Sequence, residues 1–225
     1  MQMSQAPADD RTDPRDDPRL RDLPATLVAR MRADPLRAPE HLALSAADVH
    51  GPAARDWVAE RRGTYRVSGR ELAEMAKRRH AALARTSGAA TGVGGFVTYV
   101  PDLVATAWIQ SRCVYFVAAA YGYDPLDRMR PAEQLVLQRV YRDVGEARRA
   151  LDGVGKHALQ AIAENSLRGT EREAAVARLA RMVGKSAVKR VGLKFIPGLA
   201  IAVNAVGNER DTRALADRAI AFYGG

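Results

Sequence analysis

One cysteine, two tryptophans and four phenylalanines are all that the 225 residues hold of those types, and aromatic side chains make up only 6% of the chain. The lone Cys113 excludes an intramolecular disulfide, and no Cys/His cluster has zinc spacing, so a reducing cytoplasm is the expected compartment. The opening MQMSQAPADD offers neither a basic start nor an apolar stretch, so no ordinary signal peptide is expected. Strand-like runs of β-branched residues punctuated by Gly or Asn are missing as well. Alanine fills the space instead, 42 residues of it, with Val, Leu and Ile at most other apolar positions. With 47% hydrophobic residues the chain can bury a domain-sized core. The predicted fold is all-α, a multi-helix bundle around a central apolar, glycine-rich helical hairpin.

Acids are outnumbered. The chain has 35 Lys+Arg against 26 Asp+Glu, a formal charge of +9, and 30 of the cations are Arg. Residues 1–20 carry five Asp against three Arg, whereas residues 21–225 carry 21 acids against 32 bases. A folded part this basic is attracted to polyanions, meaning nucleic acid or an anionic membrane surface.

Residues 1–19 alternate Asp, Arg and Pro with almost nothing to bury and read as a disordered tail. Residues 20–67 read as an N-terminal annex of short helical pieces, interrupted by Pro24, Pro35, Pro39 and the Gly51-Pro52 pair, with Trp57 the only large anchor. Residues 68–225 form the main helical domain, opened by a capping box at Ser68 and Glu71. From Thr86 to Tyr123 only Asp102 and Arg112 are charged. Gly88, Gly92, Gly94 and Gly95 each cost about 1 kcal/mol against Ala in a helix, but small residues four apart let a second helix approach closely. A helix over 197–207, with Gly198, Ala202 and Ala205, suits that approach. The second arm of the hairpin is expected to run from Pro101 to about Ala120.

Further on, Pro131 opens a helix whose sequence continues through Leu135, Val140 and Val144, and Gly153 and Gly155 break or bend the next stretch. Thr170 and Glu173 repeat the capping-box signal. Taken as one helix, residues 176–191 put Val176, Leu179, Ala180 and Val183 on one side and Arg178, Arg181, Lys185 and Lys189 on the other. This cationic stripe is expected to face outward and meet an anionic surface. A last amphipathic helix carries Leu215, Ala216, Ala219, Ile220 and Phe222.

Reactive chemistry has little foothold, and neither catalytic residues nor a metal or cofactor site is assigned. Gly184-Lys185-Ser186 lacks the earlier glycine of a phosphate loop, since Leu179 stands there. Gly92-Val93-Gly94-Gly95 has no βαβ context, and there is no Gly-x-Ser-x-Gly elbow. His41, His50, His80 and His157 read as surface or half-buried histidines, and Cys113 as a buried inert thiol. Asp102 and Arg112 are separated by about 15 Å of helix rise, so each needs its own partner. Together with Tyr121, Asp124 and Asn204 they are the candidates for a ligand or structural polar site.

Four segments in this order, Gly88 to Val104 (GAATGVGGFVTYVPDLV), Tyr121-Gly122-Tyr123-Asp124, Ile196-Pro197-Gly198 through Asn204, and the ending Ala221-Phe222-Tyr223, resemble the EcsC family. The resemblance covers roughly residues 68–223. The family is named after a protein encoded beside a bacterial ABC transporter, so the resemblance implies a helical, membrane-linked bacterial protein, and it implies no catalytic residues. The first functional reading is a non-enzymatic protein that associates peripherally with an anionic membrane surface, on the inner face of the cell membrane, with room for a protein partner there. The second is a soluble nucleic-acid- or protein-binding helical module. The third is an enzyme with a hydrophobic substrate pocket near Asp102 and Arg112. A spanning helix is disfavoured, because Arg112 near the centre of 103–123 would cost roughly 2.5–3.5 kcal/mol.

Replacing Gly92 with Leu is expected to overpack the helix contact and destabilise the fold by about 1–3 kcal/mol. Thermal melting checks this; an unchanged midpoint would put position 92 in solvent.

Overall fold

The computed structural model describes residues 24–90, 96–163, 169–185 and 200–225, with side-chain surroundings described within 24–85, 103–154, 174–185 and 207–225. Eight α-helices, one 3-10 turn and no strand occur among the described residues. In chain order they are α1 (Ala25–Ala33), the 3-10 turn Pro35–Arg37, α2 (Ala38–Thr64), α3 (Gly69–Ala90), α4 (Phe96–Ala120), α5 (Arg130–Leu137), α6 (Val144–Ala163), α7 (Gly169–Val183) and α8 (Ala200–Tyr223). The expected all-α bundle is the fold that forms.

Helix α4 organises the bundle. Between Leu103 and Ala120 every residue except Ala105 is buried, and α2, α3, α5, α7 and α8 all pack on it. A helix enclosed on every side must be apolar all round, which is why this stretch shows no hydrophilic face. Trp108, Tyr115 and Phe116 are 1% exposed, and burying such a side chain contributes roughly 1.5–3 kcal/mol. Helices α3 and α4 pack on each other as the hairpin requires, and α8 lies along α3. Gly88 falls in the last turn of α3, whereas Gly92, Gly94, Gly95 and Gly198 lie outside the described residues, as does the expected tail 1–19. Helix α4 starts at Phe96 rather than Pro101. A proline this near the N-terminus forfeits a single rung of the hydrogen-bond ladder, so the helix runs through it.

The expected short pieces occur before residue 38, as α1 and the 3-10 turn, but the rest of the annex is one long helix. Helix α2 is 27 residues long and continues through Gly51-Pro52. Its side chains explain why packing overrides the breakers: Leu42, Ala43, Ala46, Ala54 and Trp57 belong to the same core as α4, with Trp57 stacked 5.1 Å from Phe116. Gly51 is required where the 121–129 loop crosses the helix, since a Cβ there would lie 2.9 Å from the Pro125 carbonyl oxygen.

Helix starts obey local chemistry. The Ser68 N–H donates to Glu71 Oε2 at 2.7 Å and the Glu71 N–H donates to Ser68 Oγ at 3.2 Å, closing the expected box. Hydrogen bonds from Ser68 hold the Glu71 carboxyl below its ordinary value. Helix ends are less obedient. Helix α5 stops at Leu137 instead of continuing to Val144, and α6 runs unbroken through Gly153 and Gly155. The stop is a Schellman turn: Val140 N–H donates to the Leu135 carbonyl at 2.9 Å and Arg139 N–H to that of Val136 at 2.8 Å. Arg139 occupies the left-handed position, φ 61°, that glycine usually fills. At the far end of α8, Leu215, Ala216 and Ala219 are buried as expected, but Phe222 is 45% exposed and Tyr223 only 3%.

Relief of the left-handed strain makes Arg139→Gly stabilising by about 0.5–1 kcal/mol, net of the extra unfolded-chain entropy, while Arg139→Val destabilises by about 1–2 kcal/mol. Urea titrations of both variants measure the difference.

Candidate functional site

The cationic stripe does not survive as one face of one helix. Helix α7 ends at Val183 because Gly184 takes φ 135°, and a Cβ there would lie 2.6 Å from Asp211 Cγ. Lys185 therefore leaves the register of α7, and Lys189 lies outside the described residues. The side chains of the expected Thr170–Glu173 box also lie outside them. Arg181 is exposed, its Nε donating to the Ala177 carbonyl at 3.3 Å, and Lys185 is exposed.

Arg178 is a correction to the expected outward stripe. Its guanidinium turns inward to Glu40, 2.8 Å from Oε1, and also donates to the Leu36 carbonyl and to the Tyr141 hydroxyl at 3.3 Å. Tyr141 donates to the same Glu40 oxygen. The cause is the carboxylate: Glu40 is 1% exposed, and a buried charge demands a partner. Burial works against the Arg178 charge, but Glu40 and Tyr141 outweigh it, so the guanidinium is held above its ordinary value. Burial and the bond to Glu40 push the Tyr141 hydroxyl up. Reasoning from the sequence misses Glu40 and Tyr141. The one available signal is an acid standing alone among Ala38, Pro39, His41 and Leu42.

The polar candidates are not gathered together either. Arg112 sits midway along α4, 3% exposed, with its guanidinium 5.0 Å over the Phe116 ring. Tyr121 is about 14 Å of helix rise further on, wedged against Gly69 and Gly224. Asp124 accepts the Leu126 N–H at 2.9 Å within its own turn. The side chains of Asp102 and Asn204 lie outside the described residues. What α4 carries is a set of polar ties to its neighbours. Asn208 donates to Thr106 Oγ1 at 3.2 Å, Gln110 Nε2 donates to the Val183 carbonyl at 2.8 Å, and Gln134 donates to Ser111 Oγ at 2.7 Å.

Three histidines are buried rather than surface or half-buried residues. His41, His50 and His80 are 5%, 1% and 0% exposed, because each finds a partner inside. The His50 ring is tilted against Trp108 at 4.3 Å, His80 meets Phe116 edge-on at 5.0 Å, and His41 Nε2 lies 3.4 Å from Asp34. Burial, then Arg112, hold the His80 pKa well below its ordinary value, so this ring is neutral and donates Nδ1–H to the Ala76 carbonyl. The stability it contributes is full above the ordinary imidazole value of 6.5 and falls as the pH drops below it. Cys113 is fully buried, and burial pushes its thiol up to about 12.

Two of the segments that carried the family resemblance meet in space. The Arg130 guanidinium lies 5.4 Å from the ring centres of both Tyr123 and Tyr223, paired with Glu133, and the Tyr223 hydroxyl donates to Glu133 Oε2 at 2.6 Å. This clasp fastens the end of α8 to the start of α5. Among the described residues no group of three or more His, Cys, Asp or Glu could hold a metal ion.

Fold and contacts together define a helical-bundle protein wrapped round one buried apolar helix. The model of the EcsC protein family matches residues 63–224, and the chain belongs to that family. No curated protein and no solved structure matches it.

Arg178→Gln leaves the buried Glu40 carboxylate with the Tyr141 hydroxyl but no positive partner and is expected to lower unfolding stability by about 2 kcal/mol, with Glu40→Gln/Arg178→Gln losing less than the single change. Urea unfolding of the two variants tests this; a single variant as stable as the wild type would return Arg178 to the surface.

Proposed function

We propose that this protein associates peripherally with an anionic membrane surface on the inner face of the cell membrane, as a binding protein rather than an enzyme. The observation that carries the reading is where charge and apolar surface sit. One described helix, α4, has over Leu103–Ala120 the length and composition to cross a membrane, and 94% of that stretch is buried inside the protein. Arg181 and Lys185, by contrast, stand exposed at the foot of α7, on a chain of formal charge +9. A cation held near an anionic leaflet contributes about 1 kcal/mol, so a few of them give useful, salt-sensitive binding.

Co-sedimentation with vesicles is the test. Binding is expected to anionic vesicles at low salt, to weaken at high salt and to be absent with neutral vesicles. Arg181→Gln/Lys185→Gln should weaken it about tenfold with an unchanged circular-dichroism spectrum. Retention on nucleic acid without vesicle binding would replace this reading with that of a soluble nucleic-acid-binding module, and binding to neither would leave a protein partner or a small ligand.

A further inference from the structure

We propose that Arg139 and Arg218 form a binding site for a phosphate monoester, the end group of an anionic lipid headgroup. This rests on the peripheral membrane reading for the source of the phosphate, and it lies on the side of the bundle where Arg181 and Lys185 stand exposed.

Helix α8 brings the parts together. Asp211 and Arg218 are seven residues apart on it, hence on one face and separated by about 10 Å of rise. A Cβ on Gly184 would lie 2.6 Å from Asp211 Cγ, so the end of α7 rests on α8 at this height. Arg218 Nε donates to the Leu137 carbonyl at 3.0 Å, so the end of α5 rests on the same face two turns further on. Helix α7 also passes the segment that follows α5, since Arg178 donates to the Tyr141 hydroxyl at 3.3 Å. The turn carrying Arg139 is therefore bracketed by α7 and α8, and Arg139, Arg181, Lys185 and Ala214 are all exposed around it.

Fold stability accounts for Arg218 in part and for Arg139 not at all. Arg218 Nε and Nη1 serve the carbonyls of Leu137 and Ala214, at 3.0 and 3.1 Å, while its Nη2 makes no bond among the described residues. The Arg139 side chain forms neither a hydrogen bond nor an ion pair there, yet its backbone holds φ 61°, which glycine would take freely. A strained residue whose side chain supports nothing in the fold points to function. Its charge even acts against its neighbour: burial, then Arg139, hold the Arg218 guanidinium below its ordinary value. Asp211 and Asp217 pull the other way, but neither bonds Arg218, and Asp217 is taken by Lys77 at 2.6 Å. Asp143 and Glu146, the acids that follow the turn, accept the backbone N–H groups of Glu146 and Arg142 at the start of α6.

Two guanidinium groups that feel each other's charge, with no carboxylate bonded to either, are matched by a dianion. A phosphate monoester supplies about two negative charges near neutral pH and three acceptor oxygens, and the planar fork of arginine fits them in pairs. A diester supplies a single charge.

Arg139→Gly in the full chain is the test, because relief of the backbone strain keeps this variant folded. The wild type is expected to co-sediment about tenfold more tightly with vesicles containing phosphatidic acid, a monoester, than with phosphatidylserine vesicles, a diester, matched in surface charge. Arg139→Gly should abolish that preference at an unchanged or raised melting temperature. Inorganic phosphate, titrated by calorimetry without vesicles at constant ionic strength, should bind the wild type and not R139G. Equal binding to the two vesicles, or a preference that persists in R139G, would overturn the site while leaving peripheral association intact. Binding of inorganic phosphate by a wild type that sediments with neither vesicle would overturn the peripheral reading and make the source a soluble phosphate ester. Binding to neither phosphate nor vesicles would overturn both.

Discussion

Enclosure of α4 is the constraint on which the structure depends. A helix with neighbours on every side sees no water, so each polar group on it must be answered from within. Thr106, Gln110 and Ser111 are answered by Asn208, by the Val183 carbonyl and by Gln134, which draws α8, α7 and α5 to set heights along the axis. Burial keeps His80 neutral, and Arg112 adds to it, because a buried guanidinium disfavours a second positive charge nearby. The abundance of alanine follows from the same enclosure. Ala43, Ala46 and Ala54 on α2, Ala73 and Ala76 on α3, and Ala216 and Ala219 on α8 are buried, and residues this small let helices approach closely round a central one.

The family match begins at residue 63, yet the core does not. Trp57 packs on Phe116, His50 on Trp108, and Glu40 receives Arg178 from a helix inside the matched region. The segment before residue 63 is thus part of one continuous interior, and it supplies the acid that fixes the orientation of α7.

The start of α3 is readable from the sequence, whereas the start of α4 and the ends of α5 and α7 are not. The box at Ser68 and Glu71 depends on residues three apart, and such local chemistry is complete in the sequence. The stop after Leu137 depends on Arg139 accepting a left-handed backbone, which no propensity for arginine announces. Apolar and cationic neighbours at helical spacing put Gly184 inside a helix, but its backbone turns where Asp211 fills the space a side chain would need. Arg178 shows the same limit in charge: a stripe at helical spacing looks solvated until a carboxylate 138 positions away claims one member. Phe222 and Tyr223 are adjacent aromatics, and only the Glu133–Arg130 pair decides that the tyrosine is the one turned inward.

Gln110 has one more consequence. Its amide group holds the last carbonyl of α7 at 2.8 Å and lies 3.4 Å from the Thr212 hydroxyl of α8, all of it buried. Peeling α7 away would leave that amide in the interior with its main bond gone, and loosening α8 would disturb the same group. Opening of either helix is thereby coupled to the centre of the bundle, so the amide protons of α4, α7 and α8 should exchange with solvent as one cooperative unit, while α1, outside this network, frays independently.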